Sequence, residues 1–331
     1  MSKNFFSRKG FQNEAKQCPL NKISVIAPAT SANVGSGFDV FGLALEKPSD
    51  KVTMIQTTAS VKIQVSGFSA ETISTVPEKN TAGVVANLML KEFSLKTGLN
   101  ITLEKGIWPG KGLGSSAASA AAVAYGLNHM FSLKLSNEQL VQFSAKGEVV
   151  SAGCEHADNV AAAVSGGFVI VKSCNPMEIV CLKAPSDMEC CVAFPHIKTP
   201  TGKTQKARLI VPATVPLEKL VYNVGQAASM ASGFATGDIE LIGKSMHDFI
   251  IEPARAFLIP GYLKVKENAL NAGAYGVTIS GAGPAVIAVV NKKQSVAAKV
   301  AKAMKEGFKS AGCEATAFVT KPGKGVRVTE K

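Results

Sequence analysis

The sequence has few of the residues that bind structural metals or form disulfide frameworks, and this scarcity excludes several classes of protein. Its four histidines are far apart, and its seven cysteines form no C-x-x-C pair. Structural zinc needs closely spaced Cys and His ligands, so we expect none. An odd, scattered set of cysteines in a chain of this length indicates free thiols in a reducing compartment, which predicts a cytoplasmic protein.

Long hydrophobic runs are also absent. A membrane-spanning helix needs about 20 apolar residues, and the apolar segment at residues 117–130 is interrupted by polar side chains. We therefore expect no membrane association. The formal net charge is +12, but the lysines are spread along the chain. The two locally basic segments, residues 292–309 and 321–331, lack the interleaved aromatics of a base-stacking surface. We expect no nucleic-acid partner.

The length of 331 residues fits two closely packed domains or one large α/β unit, and 46% hydrophobic against 18% charged residues is an ordinary folded composition. Residues 1–21 are basic and have no apolar signal-peptide core, which predicts a flexible tail and leaves a short organellar leader open. Alternating strand and helix patterns predict an α+β fold with a join near residues 175–187.

A glycine-rich turn is the most informative segment: residues 108–119 read W-P-G-K-G-L-G-S-S-A-A-S. A strand pattern at residues 101–103 precedes it, and a helix-like alanine run follows. Such glycines let backbone N–H groups approach an anion, and the start of a helix adds unpaired N–H groups. The spacing matches neither the common P-loop nor the dinucleotide fingerprint. The turn predicts a phosphate site; taken alone, it also fits a flexible connection.

Two further motifs accompany the turn. Residues 27–45 read A-P-A-T-S-A-N-V-G-S-G-F-D-V-F-G-L-A-L, and residues 276–286 read G-V-T-I-S-G-A-G-P-A-V. In this order, the three motifs resemble those of the GHMP kinases, which phosphorylate small-molecule alcohols with ATP. The resemblance spans about residues 22–319 and implies a two-domain GHMP kinase fold. Residues 22–180 would form a ribosomal-protein-S5-like N-terminal domain, and residues 181–331 a ferredoxin-like C-terminal domain.

Within that family, the chain is most similar to the members that act on L-homoserine. The motifs that carry this similarity are T-S-A-N-x-G-x-G-F-D, H-A-D-N at residues 156–159, and an arginine in each of T-Q-K-A-R and I-I-E-P-A-R. The loop departs from the family pattern at Trp108, where a proline is usual, and at Lys111, where a small residue is usual. A homodimer is expected on this resemblance alone.

The resemblance assigns the nucleotide end of the site. ATP would lie on the glycine turn, and Mg²⁺ would be held by Ser116 and Glu148, since Mg²⁺ needs only one or two protein oxygens beside phosphate and water. The predicted nucleotide-binding residues are Pro109, Gly110, Lys111, Gly112, Leu113, Gly114, Ser115, Ser116, Ala117 and Ser119.

The other end would receive an amino acid with a carboxylate, an ammonium and a hydroxyl. Arg208 and Arg255 are expected on the carboxylate, because a guanidinium offers it a planar fork of donors. Asp39 and Asn33 would take the ammonium, and the predicted pocket also includes Thr204.

At the hydroxyl, Asn159 is assigned the positioning role, and Asp158 stays an alternative general base or a structural acceptor. The side chains of neighbouring residues usually point apart, so we expect only one of them at the hydroxyl. His156 is interpreted as structural rather than as a proton carrier.

Three other functions remain open at this point. The same chemistry could act on mevalonate, shikimate or a sugar, although a neutral sugar would leave both arginines without a carboxylate. The fold could also serve as a non-catalytic ligand sensor, which would not need Glu148 and Ser116. Net charge alone suggests a nucleic-acid binder, whose binding would depend steeply on salt.

Overall fold

A computed structural model of the chain describes residues 20–152, 157–198 and 203–330, with the backbone alone for residues 150–152. Residues 1–19 of the predicted tail, and His156, lie outside these ranges. Within them, no helix combines the length and the apolar character needed to cross a membrane.

A mixed seven-stranded sheet forms the first layer, in the order β11-β1-β2-β4-β3, with β5 paired to β2 and β6 paired to β5. The strand β2 is long enough to pair with two neighbours on one side: its first part pairs with β5 and its last part with β4. The strands are β1 (Lys22–Asn33), β2 (Gly37–Thr57), β3 (Lys62–Gly67), β4 (Gly98–Lys105), β5 (Phe168–Cys174), β6 (Met177–Leu182) and β11 (Arg327–Glu330).

Four helices pack on this sheet. The alanine-rich α2 is buried on nearly all sides, since its small side chains let β1, α1, α3 and α4 approach closely. Asn80 caps α1 by accepting from the Ala82 amide, and Ser136 with Gln139 forms the predicted capping box before α3. The helices are α1 (Thr81–Glu92), α2 (Ser115–Met130), α3 (Asn137–Ala152) and α4 (Asp158–Ser165).

The second sheet has the order β10-β7-β9-β8, which is the 4-1-3-2 order of a ferredoxin-like unit. One face packs against α9 and α10, and the other contributes to the core of the first sheet. Its strands are β7 (Met188–Pro195), β8 (Gly276–Ile279), β9 (Val286–Asn291) and β10 (Ala315–Thr320). The helices of this half are α5 (Lys203–Leu209), α6 (Leu217–Thr236), α7 (Ile239–Lys244), α8 (Ile251–Ala256), α9 (Tyr262–Asn271) and α10 (Ala297–Ser310).

The predicted α+β architecture in two parts is confirmed, but the division at residue 180 does not follow the sheets. That position lies inside β6, which pairs with β5 in the first sheet as far as Leu182. The last strand, β11, also returns to the first sheet and pairs antiparallel with β1. An outer strand leaves backbone donors and acceptors unsatisfied, and β11 fills that edge of β1.

Candidate active site

The glycine turn lies between β4 and α2 and has the backbone conformation that its composition predicts. Gly110, Gly112 and Gly114 have φ values of 72°, 83° and 64°. A Cβ atom on Gly112 would lie 2.4 Å from the Ser280 carbonyl oxygen, and one on Gly114 would lie 1.9 Å from Thr30 Oγ1. Only glycine fits these two positions without a shift of the neighbouring chain.

The C-terminal motif packs against this turn and fixes it. Ser280 Oγ donates to the carbonyl oxygen of Gly112 at 2.7 Å, and the Ala285 amide donates to that of Lys111 at 2.9 Å. On the opposite side, the Thr30 amide of β1 donates to the Leu113 carbonyl at 3.1 Å. The turn is therefore held by backbone and hydroxyl bonds from both parts of the chain.

Below the turn, a buried lysine fixes the first residues of α2. Lys105 is 4% exposed and pairs with Asp50. Its ammonium also donates to the Ser115 carbonyl at 2.9 Å and to Ser119 Oγ at 2.8 Å. Asp50 Oδ1 in turn accepts from the Gly106 and Ile107 amides. These bonds satisfy both buried charges and fix the position of the start of α2 relative to β4.

One carboxylate approaches the start of α2. Glu148, on α3, accepts from Ser116 Oγ at 2.9 Å, although the two residues are 32 positions apart in the chain. Among the described residues, no group of three or more His, Cys, Asp or Glu side chains could hold a metal. A hydroxyl beside a single carboxylate suits Mg²⁺, which takes its remaining ligands from phosphate and water.

In the same cavity, two residues that were predicted to bind different groups of a ligand form an ion pair with each other. Arg208 donates to both carboxylate oxygens of Asp39, at 3.2 and 2.5 Å. The two side chains are 38% and 34% exposed, so this ion pair faces the solvent-accessible cavity. Their charges are mutually compensated while no ligand lies between them.

A second arginine lies deeper and is held by carbonyl groups. Arg255 is 5% exposed and donates to the Ala207 and Gly281 carbonyl oxygens at 3.1 and 3.2 Å. Burial lowers its pKa, and the nearby Asp39 partly opposes that shift. The Phe38 ring lies 5.1 Å from its guanidinium carbon and 5.5 Å from that of Arg208. Phe38 thus provides one aromatic platform for both cations.

Asn33 connects two of the motifs. Its Nδ2 donates to the Gly281 carbonyl at 3.0 Å, and its Oδ1 accepts from the Asp39 amide at 3.1 Å. Asn33 and Asp39 both have positive φ values, of 69° and 59°. These bonds stabilise the tight turn that presents the Asp39 carboxylate.

Asp158 and Asn159 lie at the start of α4 and contact each other. Asp158 Oδ1 accepts from the Asn159 amide at 2.7 Å and lies 3.3 Å from Asn159 Nδ2. Asn159 Oδ1 accepts from Thr30 Oγ1 at 2.7 Å. The expectation that these neighbouring side chains point apart is wrong, because the Asp158 carboxylate turns back onto the first turn of its own helix.

Most of the functional side chains described above line one cavity of about 420 Å³. Its lining includes the glycine turn, Glu148 and Asn159, together with Arg208 and Arg255. The arrangement places a candidate polyphosphate site and a site with both charge signs in one space. Such a cavity can bring a phosphate donor and a small charged acceptor together.

Comparisons with known proteins support the same interpretation. Residues 80–167 match the family model "GHMP kinases N terminal domain", and residues 230–310 match "GHMP kinases C terminal". A homoserine kinase of Methanococcus maripaludis strain C5 is 46% identical over 84% of this chain and 90% of its own length. The chain belongs to the GHMP kinase family. It is therefore an ATP-dependent kinase that acts on an alcohol.

Other relatives of this GHMP kinase cover nearly the whole chain. A homoserine kinase of Natronomonas pharaonis is 45% identical over 92% of this chain and 99% of its own length. The crystal structure of homoserine kinase from Cytophaga hutchinsonii has a TM-score of 0.87 at 37% identity and covers 95% of this chain and 99% of that one. The similarity therefore extends over both sheets.

Most, but not all, of the predicted site residues line the cavity of this GHMP kinase. Two predicted nucleotide-binding residues do not: Ala117 is fully buried in the core, and Lys111 donates to the Ile197 carbonyl at 2.8 Å. Lys111 thus joins the turn to the segment after β7. The predicted site residues that do line the cavity are Asn33, Asp39, Pro109, Gly110, Gly112, Leu113, Gly114, Ser115, Ser116, Ser119, Glu148, Asp158, Asn159, Thr204, Arg208 and Arg255.

The structure adds residues that the sequence interpretation missed. Lys105 and Asn80 line the far side of the cavity, and Asn80 Nδ2 donates to the Ser74 carbonyl at 2.7 Å. Lys203 precedes Thr204 and donates to the Gly110 carbonyl at 2.9 Å and to that of Gly283. Burial, and then the charges of Lys111 and Arg255, lower the pKa of Lys203 to about 7. Its position one residue before a predicted pocket residue was the available signal.

Proposed function

We propose that this GHMP kinase transfers the terminal phosphoryl group of ATP to the hydroxyl of L-homoserine, giving O-phospho-L-homoserine, in the pathway to threonine. The observation that carries the proposal is the pair of opposite charges, Arg208 and Asp39, beside a second arginine in the cavity that begins at the glycine turn. Relatives named homoserine kinase, at 46% and 45% identity, support the same substrate.

Substrate binding would proceed by exchange of ion pairs. The ammonium of the amino acid would replace Arg208 on Asp39, and its carboxylate would replace Asp39 on Arg208, so both charges stay compensated. Arg255 adds a second donor to the carboxylate, and Phe38 keeps both guanidiniums in place. A ligand with one charge would leave one member of the pair uncompensated, which is costly in a partly buried site.

The nucleotide would lie with its phosphates on the amides of residues 112–116. Gly114 precedes α2 without a side-chain cap, so the first amides of this helix face the cavity. Ser116 and Glu148 fit Mg²⁺, which would neutralise phosphate charge when bound. We therefore assign these two residues as its protein ligands.

In the transfer, the substrate oxygen forms a bond to the terminal phosphorus while the bond to the bridging oxygen breaks. ADP leaves with that electron pair, and the hydroxyl proton is released. Asn159 lines the cavity, and Thr30 Oγ1 donates to its Oδ1, so its Nδ2 would orient the hydroxyl. Asp158 remains the alternative acceptor of the proton, because its carboxylate lines the same cavity.

A panel assay tests the substrate. ADP release is coupled to a spectroscopic readout with homoserine, mevalonate, shikimate, galactose and threonine as acceptors. We expect the highest kcat/KM with homoserine. A clear preference for another alcohol would contradict the substrate and leave the kinase assignment in place.

Location and assembly are further proposals. We infer a cytoplasmic homodimer without nucleic-acid or membrane partners, on the cysteine pattern, the scattered charge and the family resemblance. Light scattering of the full chain tests the dimer. Filter binding at several salt concentrations tests the nucleic-acid prediction.

A further inference from the structure

Lys203 occupies a position between the two ends of the cavity. It begins α5, the helix that also carries Thr204 and Arg208. Its ammonium donates to the carbonyl oxygens of Gly110, in the glycine turn, and of Gly283, in the C-terminal motif. The side chain therefore reaches from the amino-acid end towards the phosphate turn.

The charges around this ammonium make it a candidate anion site. Among the described residues, its hydrogen-bond acceptors are neutral carbonyl groups. The charged groups that shift it are both cations, Lys111 from the glycine turn and Arg255 from α8. A partly buried cation next to two others is stabilised by a nearby anion, because the repulsion and the desolvation cost are both offset.

We propose that Lys203 binds the terminal phosphate of the nucleotide and compensates its charge during transfer. The inference rests on the proposed function, in which the terminal phosphate must meet the acceptor hydroxyl between the glycine turn and α5. Lys203 lies between those elements, whereas Lys105 lies beneath the start of α2. The ammonium would exchange one of its carbonyl acceptors for a phosphate oxygen.

Proton uptake follows from this contact. Without nucleotide, the pKa of Lys203 is about 7, so its protonated fraction falls as the pH rises through neutrality. A phosphate at hydrogen-bond distance favours the charged amine and raises that pKa. Nucleotide binding near pH 8 should therefore take up a proton that binding near pH 6 does not require.

A purely structural role is the competing explanation. Lys203 could serve only to tie the Gly110 and Gly283 carbonyls together. Its removal would then loosen both motifs, lower the melting temperature and weaken every nucleotide equally. Such a role would not change the number of protons taken up on binding.

The experiment is calorimetric titration of the full chain with Mg²⁺ and either AMP-PNP or ADP. Each titration is run in two buffers of different ionisation enthalpy, near pH 6 and near pH 8. The variants are Lys203→Met, Lys203→Arg and, as a matched control, Lys206→Met. Lys206 lies on the same helix and is exposed.

We expect Lys203→Met to weaken AMP-PNP binding by about 10- to 100-fold, as for loss of a charged hydrogen bond, and ADP binding much less. It should abolish the pH-dependent proton uptake. Lys203→Arg should keep most of the affinity and also lose the uptake, because a guanidinium stays protonated. Lys206→Met should match the unsubstituted chain.

Unchanged proton uptake in Lys203→Met, or equal weakening of AMP-PNP and ADP, would overturn the proposal. If Lys203→Met does not fold, Lys203→Arg still decides, since uptake equal to that of the unsubstituted chain would contradict the assignment. The titrations contain no homoserine, so a wrong substrate would affect only the acceptor panel. Absence of nucleotide binding to the unsubstituted chain would instead contradict the proposed function itself.

Discussion

The two ends of the cavity are built by different means. At the phosphate end, the glycine turn is shaped by its main chain: three glycines have positive φ, and its carbonyl oxygens accept from Ser280, Ala285 and Thr30. The amino-acid end is formed by side chains, Arg208 and Asp39, that neutralise each other and are about one-third exposed. One end has its donors in place before a ligand arrives, whereas the other must exchange partners.

This difference separates the expected kinetic effects. Preorganised donors act on charge that develops in the transition state, so damage at the phosphate end should lower kcat. Exchangeable ion pairs bind ground state and transition state alike, so damage at the amino-acid end should raise KM. Four substitutions test this contrast, beginning with the largest expected effect.

Glu148→Gln tests the phosphate end most severely. It keeps the shape of the side chain near Ser116 but removes the negative charge that suits Mg²⁺. We expect kcat to fall by about 10³-fold, with partial recovery at high Mg²⁺ concentration. A melting temperature near that of the unsubstituted chain serves as the folding control. Activity within a few-fold of normal would exclude Glu148 as a ligand.

Asn159→Ala tests the boundary between the two ends. Loss of the amide should lower kcat by about 10²-fold, because the hydroxyl would no longer be oriented. The matched variant is Asp158→Asn, which keeps the volume and removes the carboxylate. A larger loss in Asp158→Asn than in Asn159→Ala would reverse the two assigned roles.

Arg208→Met tests the amino-acid end. We expect the KM for homoserine to rise by about 10- to 100-fold, with the KM for ATP nearly unchanged. Asp39→Asn should produce a similar change. In the double variant, the loss of homoserine binding free energy should be smaller than the sum of the two single losses, since each single change leaves its partner uncompensated. Equal increases in the KM values for homoserine and ATP would contradict the claim that the two substrates bind at separate ends of the cavity.

Ser280→Ala gives the smallest expected effect and sharpens the comparison. It removes the bond to the Gly112 carbonyl, worth about 1 kcal/mol, or about fivefold in kcat. The KM for homoserine should not change. Ser310→Ala removes a hydroxyl that donates to Gly307 within α10 and serves as a control away from the cavity. A change in the KM for homoserine alone would contradict the assignment of Ser280 to the phosphate end.

Local signals predicted the backbone conformation of the glycine turn well. Glycine positions, a strand before the turn and a helix after it are all encoded within a short stretch, so the conformation of residues 110–114 follows from their chemistry. Capping residues also located the starts of α1 and α3. The resemblance to the GHMP kinases supplied what spacing could not, namely Glu148 as a partner of Ser116.

The remaining features depend on contacts between distant parts of the chain. Arg208 and Asp39 are 169 positions apart, and nothing local indicates that they pair. The strand β11 is short and mostly polar, so it becomes a strand only through its pairing with β1. Lys203 is one lysine among many in the sequence, and its contacts with two glycine carbonyls arise only when folding brings those carbonyls together.

A crystal structure with AMP-PNP, Mg²⁺ and L-homoserine tests the central claim most directly. The account predicts phosphate oxygens on the amides of residues 112–116 and a broken Arg208–Asp39 bond. The homoserine carboxylate should lie on Arg208 and its ammonium on Asp39. Triphosphate bound away from the glycine turn, or homoserine bound elsewhere with the Arg208–Asp39 pair intact, would contradict it.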